Sequence, residues 1–125
     1  MFETARATRG MVASSHHLAA ETGLRVLRAG GNAIEATIAA AATISVVYPH
    51  MNGIGGDGFW LIAEPGDAPP IAILGVGRAA AAADIGFYRG RGLEAIPPRG
   101  PLAANTVAGT VSSWAAAHEI ALRWG

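Results

Sequence analysis

The chain has 125 residues, is 51% hydrophobic and carries a formal net charge of zero at pH 7, which suits one domain with a core. Its nine basic residues are all arginines without a cluster, so no nucleic acid partner is expected. Cysteine is absent from the sequence, which excludes disulfides and thiolate metal sites.

The amino-terminal residues do not resemble a signal peptide. Glu3, Arg6 and Arg9 stand where a signal peptide needs an apolar stretch, which favours a cytoplasmic location and leaves the periplasm open. The longest nearly apolar run, residues 36–48, is shorter than the ~20 residues of a membrane span. It therefore predicts a buried helix, and no membrane partner is expected.

The first predicted elements are a strand and a helix. A short apolar run at 11–14 indicates a strand, and the serine at position 14 or 15 can cap a helix over residues 17–29. Helical spacing turns Leu24 and Leu27 towards a core. Gly30 and Gly31 end this helix, because glycine adopts a left-handed conformation without a side-chain penalty.

A second helix has a sharply defined start. Asn32 is its predicted N-cap, and Glu35 stands three residues later, as in a capping box. From Ile34 onward the apolar residues surround the helix, which predicts neighbours on all sides. The helix is predicted to end at Tyr48, because Pro49 disfavours helical geometry in the residue before it.

The second half of the chain predicts a hairpin and a final helix. Bulky apolar runs at 59–63 and 71–74 flank a turn-rich segment and indicate two antiparallel strands. Residues 86–101, rich in Gly, Arg and Pro, predict an irregular surface segment. Thr110 can cap a last helix that ends at Gly125, with one face formed by Trp114, His118 and either Ala121 or Leu122.

The glycine-rich loop at residues 53–58 matches the spacing of a dinucleotide-binding loop. That motif works between a strand and a helix, whereas here a helix precedes the loop and a strand follows it. We therefore expect no cofactor, and predict that these glycines allow close backbone approach or positive φ angles. Asp57, within the loop, is expected to stabilise the turn.

The four histidines do not have metal-binding spacing. His16 and His17 are adjacent, so on a helix their rings point in different directions. His50 lies in a turn, and His118-Glu119 lacks the second histidine of the zinc-protease pattern. Structural or solvated roles are expected for all four, and no metal site.

Arg78 follows the second predicted strand and is flanked by Gly75 and Gly77. A guanidinium at a strand end can donate two parallel hydrogen bonds to a carboxylate ligand. A surface ion pair explains such an arginine equally well from the residues alone.

One block, residues 30–59 (GGNAIEATIAAAATISVVYPHMNGIGGDGF), is the most specific feature of the chain. With residues 10–14 and 77–78, it resembles the start of the large subunit of the gamma-glutamyltransferase family of N-terminal nucleophile hydrolases. Residues 100–103 and 107–109 extend the resemblance. It implies an α/β (α+β) fold, with residues 1–125 as the N-terminal part of a large subunit in a four-layer αββα sandwich. It also implies a self-cleaving precursor whose nucleophile is the first Thr of a small subunit, so no catalytic residue is expected in this chain.

The resemblance gives Arg78 a role in binding the α-carboxylate of a glutamyl donor. It implies transfer of a gamma-glutamyl group from glutathione-like donors to water or amino acids, with the small catalytic subunit as partner. Ala79 stands where Glu is common in the family, which leaves fewer polar groups to orient a glutamyl donor. Asp57, where Gly is common, and the run at 48–60 are similar to a branch that includes oxamate amidohydrolases. A small carboxylate amide such as oxamate is therefore the alternative substrate.

A non-catalytic binding or structural domain is the alternative from another class, because no nucleophile is expected within these residues. Against it, an apolar helix and two short strands leave too little partner surface in 125 residues. The chain by itself is therefore expected to expose apolar surface and to associate.

Overall fold

A computed structural model describes residues 4–103 and 106–124. Helices and strands are mixed, as predicted. In chain order the elements are α1 (His17–Arg28), α2 (Ala33–Val47), β1 (Gly58–Ile62), β2 (Ile71–Gly75), α3 (Ile85–Arg89) and α4 (Thr110–Ala121).

The start of α1 differs from the prediction. Residues 11–14 form no strand, and the N-cap is His16, whose Nδ1 accepts a hydrogen bond from the Leu18 amide at 3.3 Å. An imidazole nitrogen therefore serves the helix start in place of a serine hydroxyl. At the other end Gly30 adopts a φ of +95°, the left-handed geometry predicted for the helix stop.

The helix α1 packs on α2 through small residues. Its buried residues are Ala19 and Gly23, whereas Leu24 and Leu27 are only half-buried, so the predicted core face is wrong. A Cβ atom at Gly23 would lie 2.9 Å from the Ala36 carbonyl oxygen. The two helices therefore meet through these small residues. Leu24 and Leu27 lie outside this contact and line a small cavity beside residues 7–10.

The predicted capping box at the start of α2 is confirmed. The Asn32 side chain accepts hydrogen bonds from the amides of Ile34 and Glu35 at 3.1 Å, and the Asn32 amide donates to the Glu35 carboxylate at 2.8 Å. The helix ends at Val47, with Tyr48 as its C-cap.

Within the described residues α2 has neighbours on only part of its circumference, as expected of a chain with too little surface to enclose it. Its buried residues are Ile34, Ala36 and Ala40, whereas Val46 is 76% exposed. The elements that pack on it are α1 and α4, which cover only part of its circumference. The rest of its apolar surface is left without a neighbour among the described residues.

The strands β1 and β2 form the predicted antiparallel hairpin, with Trp60 opposite Ile73 and Ile62 opposite Ile71. Because side chains alternate along a strand, the hairpin has two faces. The face that carries these four residues packs against a buried cluster of Ile34 and the α4 residues Ala117, Ile120 and Ala121. We call it the packed face. The opposite face, here called the bare face, carries Phe59, Leu61, Ala72 and Leu74, all of which are exposed.

The helix α4 differs in two respects from its prediction. Its N-cap is Gly109, which has no side chain to accept a hydrogen bond, and Thr110 is the first residue of the helix. The Thr110 hydroxyl donates to the Gly56 carbonyl. His118 is exposed, and the buried face consists of Thr110, Ser113, Ala117, Ile120 and Ala121. The predicted stop at Gly125 lies outside the described residues.

The segment predicted to be irregular begins with a short helix, α3, capped by Asp84, whose side chain accepts a hydrogen bond from the Phe87 amide at 2.7 Å. The rest of the segment consists of turns and bends. None of the helices in residues 4–103 and 106–124 has the length and apolar character that crossing a membrane requires.

Candidate functional site

Three backbone segments meet beyond the end of the hairpin: residues 56–58, 75–79 and 106–110. We call their meeting point the junction. The amides of Gly109 and Thr110 both donate to the Gly56 carbonyl, at 2.9 and 3.0 Å, and the Thr110 hydroxyl donates to the same oxygen at 2.8 Å. The Val107 amide donates to the Arg78 carbonyl at 3.0 Å, and Ala79 forms an isolated antiparallel bridge with Thr106. The junction therefore holds the backbone that carries Arg78.

Glycine is required where the segments of the junction touch. A Cβ atom at Gly77 would lie 1.5 Å from the Val107 carbonyl oxygen, and one at Gly109 would lie 2.0 Å from the Gly75 carbonyl oxygen. Since real Cβ atoms do not approach so closely, a side chain at either position would push the segments apart. The backbone on both sides of Arg78 depends on these close contacts.

Asp57 links the first segment of the junction to the second. Its Oδ1 accepts a hydrogen bond from the Gly77 amide at 3.2 Å. Asp57 was predicted to stabilise its own turn, but its bond reaches a residue 20 positions along the chain. It therefore fixes the segment next to Arg78.

Arg78 itself is exposed, three residues after the end of β2. Within residues 4–103 and 106–124, no carboxylate lies within 4.0 Å of its guanidinium, and the ion pair in that part of the chain joins Arg25 and Glu21 on the surface of α1. The surface ion-pair interpretation of Arg78 finds no partner among these residues. The guanidinium is thus accessible to a ligand from solvent.

A cleft of about 560 Å³ lies on the other side of Asp57. It is bounded by α2, by residues 51–53 and 57, by β1 and by the start of α4, and its larger side chains are those of Ile44, Tyr48, Met51, Trp60 and Trp114. Arg78 is not among the lining residues. The cleft is mainly apolar and does not bring Arg78 together with a second ionisable group.

His16 and His17 lie at the start of α1, His50 follows α2, and His118 lies exposed on α4. The rings of His16 and His17 stack at a centroid distance of 4.6 Å, so the prediction that they point apart is wrong. The reason is that His16 is the N-cap, with extended backbone, and not a residue of the helix. His50 packs against Tyr48 at 4.3 Å. In the part of the chain that the structure describes, no three histidine, aspartate or glutamate side chains converge as metal ligands would.

The glycine-rich loop lies between α2 and β1, an order that does not fit a dinucleotide-binding loop. Gly58 allows close approach, since a Cβ atom there would lie 2.3 Å from the Ser113 hydroxyl. Gly53, Gly55 and Gly56 have no positive φ, and a Cβ atom added at any of them would meet nothing within 4 Å, so the absence of a side chain is not required there. Nothing in the structure explains glycine at these three positions.

Sequence reasoning missed most of the junction. It identified Arg78 and Asp57 separately, predicted Thr110 only as a helix cap, and did not predict that Val107 or the Thr110 hydroxyl contacts the other segments. The spacing of Gly75, Gly77 and Gly109 was the available signal, because glycines on two distant segments can mark a place where backbones touch.

Comparison with known proteins places the chain among relatives of known family. The family model for gamma-glutamyltranspeptidase matches residues 19–123. The chain is 57% identical over 113 residues to the oxamate amidohydrolase proenzyme of Klebsiella pneumoniae, covering 90% of this chain and 21% of that protein. It is 44% identical over 107 residues to the glutathione hydrolase-like YwrD proenzyme of Bacillus subtilis, covering 86% of this chain and 20% of the relative.

A solved structure shows the same fold. The gamma-glutamyltranspeptidase of Helicobacter pylori matches with a TM-score of 0.79 and 31% identity, over 94% of this chain and 34% of that one. The chain thus has the fold predicted for the N-terminal segment of an N-terminal nucleophile hydrolase, and it spans about a fifth of the length of the curated relatives. With a family model that matches nearly all of its described residues, the chain belongs to the gamma-glutamyltranspeptidase family.

Proposed function

We propose that residues 1–125 form the N-terminal part of the large subunit of a self-cleaving enzyme that hydrolyses the amide of a small carboxylate such as oxamate. The observation that carries this proposal is the 57% identity, over 90% of the chain, with an oxamate amidohydrolase proenzyme. The relatives are named as proenzymes, which supports processing into two subunits. The proposed nucleophile, the first Thr of the small subunit, then lies outside these residues.

In this proposal Arg78 binds the carboxylate of the substrate. Its exposed guanidinium has no carboxylate partner among the described residues, and its carbonyl is held by the Val107 amide. A planar guanidinium donates two parallel hydrogen bonds to a carboxylate and so fixes its orientation as well as its position. In oxamate the amide carbon is bonded directly to the carboxylate carbon, so orienting one group orients the other.

The proposed reaction needs a nucleophile and a base, and an N-terminal Thr supplies both. Its hydroxyl oxygen attacks the amide carbon, and its amine accepts the hydroxyl proton and passes it to the leaving nitrogen. Ammonia departs and an ester remains on the Thr. Water then attacks the ester and releases the second carboxylate, which for oxamate gives oxalate. Arg78 contributes by holding the substrate in register for the first attack.

The second candidate is transfer of a gamma-glutamyl group from a glutathione-like donor to water or an amino acid. It is favoured by the 44% identity with a glutathione hydrolase-like protein. A glutamyl donor carries an ammonium group beside its carboxylate, and an acidic side chain next to the arginine would suit that group. Here the neighbour is Ala79, which offers no such partner and favours the smaller substrate.

The two candidate functions are distinguished by which substrate the enzyme turns over faster. The complete gene product that contains this chain is assayed for ammonia release from oxamate and for anilide release from a gamma-glutamyl anilide. We expect kcat/KM for oxamate to be higher by about 100-fold, the discrimination that a polar group without a partner typically causes. The reverse preference would establish the second candidate. Turnover of neither substrate would favour the non-catalytic alternative.

The role of Arg78 is tested by Arg78→Ala in the same protein. Loss of a charged pair with the substrate is expected to raise KM for oxamate by about 100-fold. Arg25→Ala, which removes an arginine from the exposed surface of α1, is the matched control and is expected to leave KM unchanged. An unchanged KM in Arg78→Ala would show that another group binds the carboxylate.

A further inference from the structure

We infer that Asp57 is a positioning residue for Arg78, and that its carboxylate sets where the guanidinium stands by holding the amide of Gly77. This inference rests on the proposed carboxylate-binding role of Arg78. The observation behind it is the hydrogen bond of 3.2 Å from the Gly77 amide to Asp57 Oδ1, one residue before the arginine.

The segment that carries Arg78 has little other support. Pairing between β1 and β2 ends at Gly75, so residues 76–78 lie beyond the sheet. Val76 is 51% exposed and Arg78 is exposed as well, so the side chains of this segment provide little packing. The hydrogen bonds that hold it are the Asp57 bond at Gly77 and the Val107 bond at the Arg78 carbonyl. Among the described residues, loss of the first leaves the segment held by the Val107 bond and by the bridge between Ala79 and Thr106.

Asp57 is itself well anchored, which suits it to this task. The carbonyl of the preceding residue, Gly56, accepts hydrogen bonds from the Gly109 and Thr110 amides and from the Thr110 hydroxyl. The following residue, Gly58, is the first of β1 and pairs with Gly75. Because the residues before and after Asp57 are both held, its carboxylate has a defined place and can hold the Gly77 amide there.

The acceptor of the bond is a side-chain oxygen at 3.2 Å from the Gly77 nitrogen, which an Asn at position 57 could also provide. Gly77 cannot move away in the other direction, since its Cα already lies against the Val107 carbonyl. The two contacts hold residue 77 between Asp57 and Val107. A displacement of about 1 Å in a group that orients a substrate is enough to slow an enzyme markedly, so this restraint bears on function.

The test is a double-mutant cycle in the complete gene product, with KM and kcat for oxamate measured separately. Asp57→Ala is expected to raise KM about tenfold, the effect of losing one hydrogen bond that positions the arginine, with kcat changed much less. Asp57→Asn keeps an oxygen that can accept the Gly77 bond and is expected to stay within about twofold of the parent. Asp67→Ala, in the exposed turn of the hairpin, is the matched control.

The decisive comparison is made in an Arg78→Ala background. If Asp57 acts through Arg78, adding Asp57→Ala to Arg78→Ala leaves KM unchanged, because the guanidinium to be positioned is gone. If Asp57→Ala multiplies KM by the same factor in both backgrounds, the two residues act independently and the inference is wrong. A normal KM in Asp57→Ala alone would also overturn it.

Two further results keep the interpretation clear. If Arg78→Ala alone leaves KM unchanged, the proposed function of the arginine fails, whatever Asp57 does. If Asp57→Ala yields no folded, processed enzyme, Asp57→Glu replaces it, since this variant keeps the charge and displaces the oxygen by one carbon. The same rise in KM, lost in the Arg78→Ala background, is expected for Asp57→Glu. A normal KM in Asp57→Glu would contradict the inference.

Discussion

The two faces of the hairpin are equally apolar and have opposite surroundings. On the packed face Ile62 and its neighbours meet α4 and are buried or half-buried. On the bare face Phe59, Leu61 and Leu74 are 68, 77 and 70% exposed. A sheet that faces solvent on one side normally carries polar residues there. The apolar bare face therefore indicates a surface that another layer covers.

The difference between the faces fits the family fold. In a four-layer αββα sandwich each sheet packs a helical layer on one side and the other sheet on its second side, so both faces are apolar. The described residues contain one helical layer and part of one sheet. The exposed apolar surface expected from the sequence is present, and the association expected from it stays a prediction.

The largest effect is predicted on the packed face. Ile62→Ala removes a buried side chain from the cluster with Ala117 and Ile120, and is expected to lower the free energy of unfolding by about 3 kcal/mol. Urea unfolding of the chain measures it. A loss below about 1 kcal/mol would contradict the assignment of this side chain to the core.

A smaller effect is predicted for the polar contact on the same face. The Trp60 indole N–H donates to the Ser113 hydroxyl at 3.1 Å, and Ser113 is buried. Ser113→Ala leaves that donor without its acceptor and is expected to cost about 1 kcal/mol. Ser112→Ala, exposed on the same helix, is the control and is expected to change the free energy of unfolding by less than about 0.5 kcal/mol. Equal losses in the two variants would show that the indole contact contributes nothing.

The smallest effect is predicted on the bare face. Leu61 neighbours Ile62 on the same strand and is exposed, so Leu61→Ala is expected to change the stability of the chain alone by less than about 0.5 kcal/mol. In the complete gene product the same substitution is expected to cost about 3 kcal/mol, because the second sheet then buries this leucine. Equal effects in the two proteins would mean that no layer covers the bare face.

The sequence predicted local features well. The start of α2 depends on two residues three positions apart, Asn32 and Glu35. The hairpin depends on two bulky apolar runs that flank a turn-rich segment. Each signal lies within one segment of the chain. The prediction failed at α4, where Gly109 is the N-cap and the Thr110 hydroxyl binds the Gly56 carbonyl, 54 residues away, a contact that no local pattern indicates.

The candidate site was harder to predict from the sequence than the fold was. The residues alone left Arg78 between a ligand-binding and an ion-pair role, and only the family resemblance gave it a substrate. The bond from Gly77 to Asp57 joins residues 20 positions apart, and it forms because β1 and β2 bring their ends together. Such a contact follows from the register of the hairpin and not from any local pattern.

Self-cleavage is tested most directly by the intact mass and N-terminal sequence of every polypeptide in the purified complete gene product. We expect two polypeptides, a large one that contains this chain and a small one that begins with Thr. A single uncleaved polypeptide, in a protein that is folded and complete, would contradict a self-cleaving hydrolase.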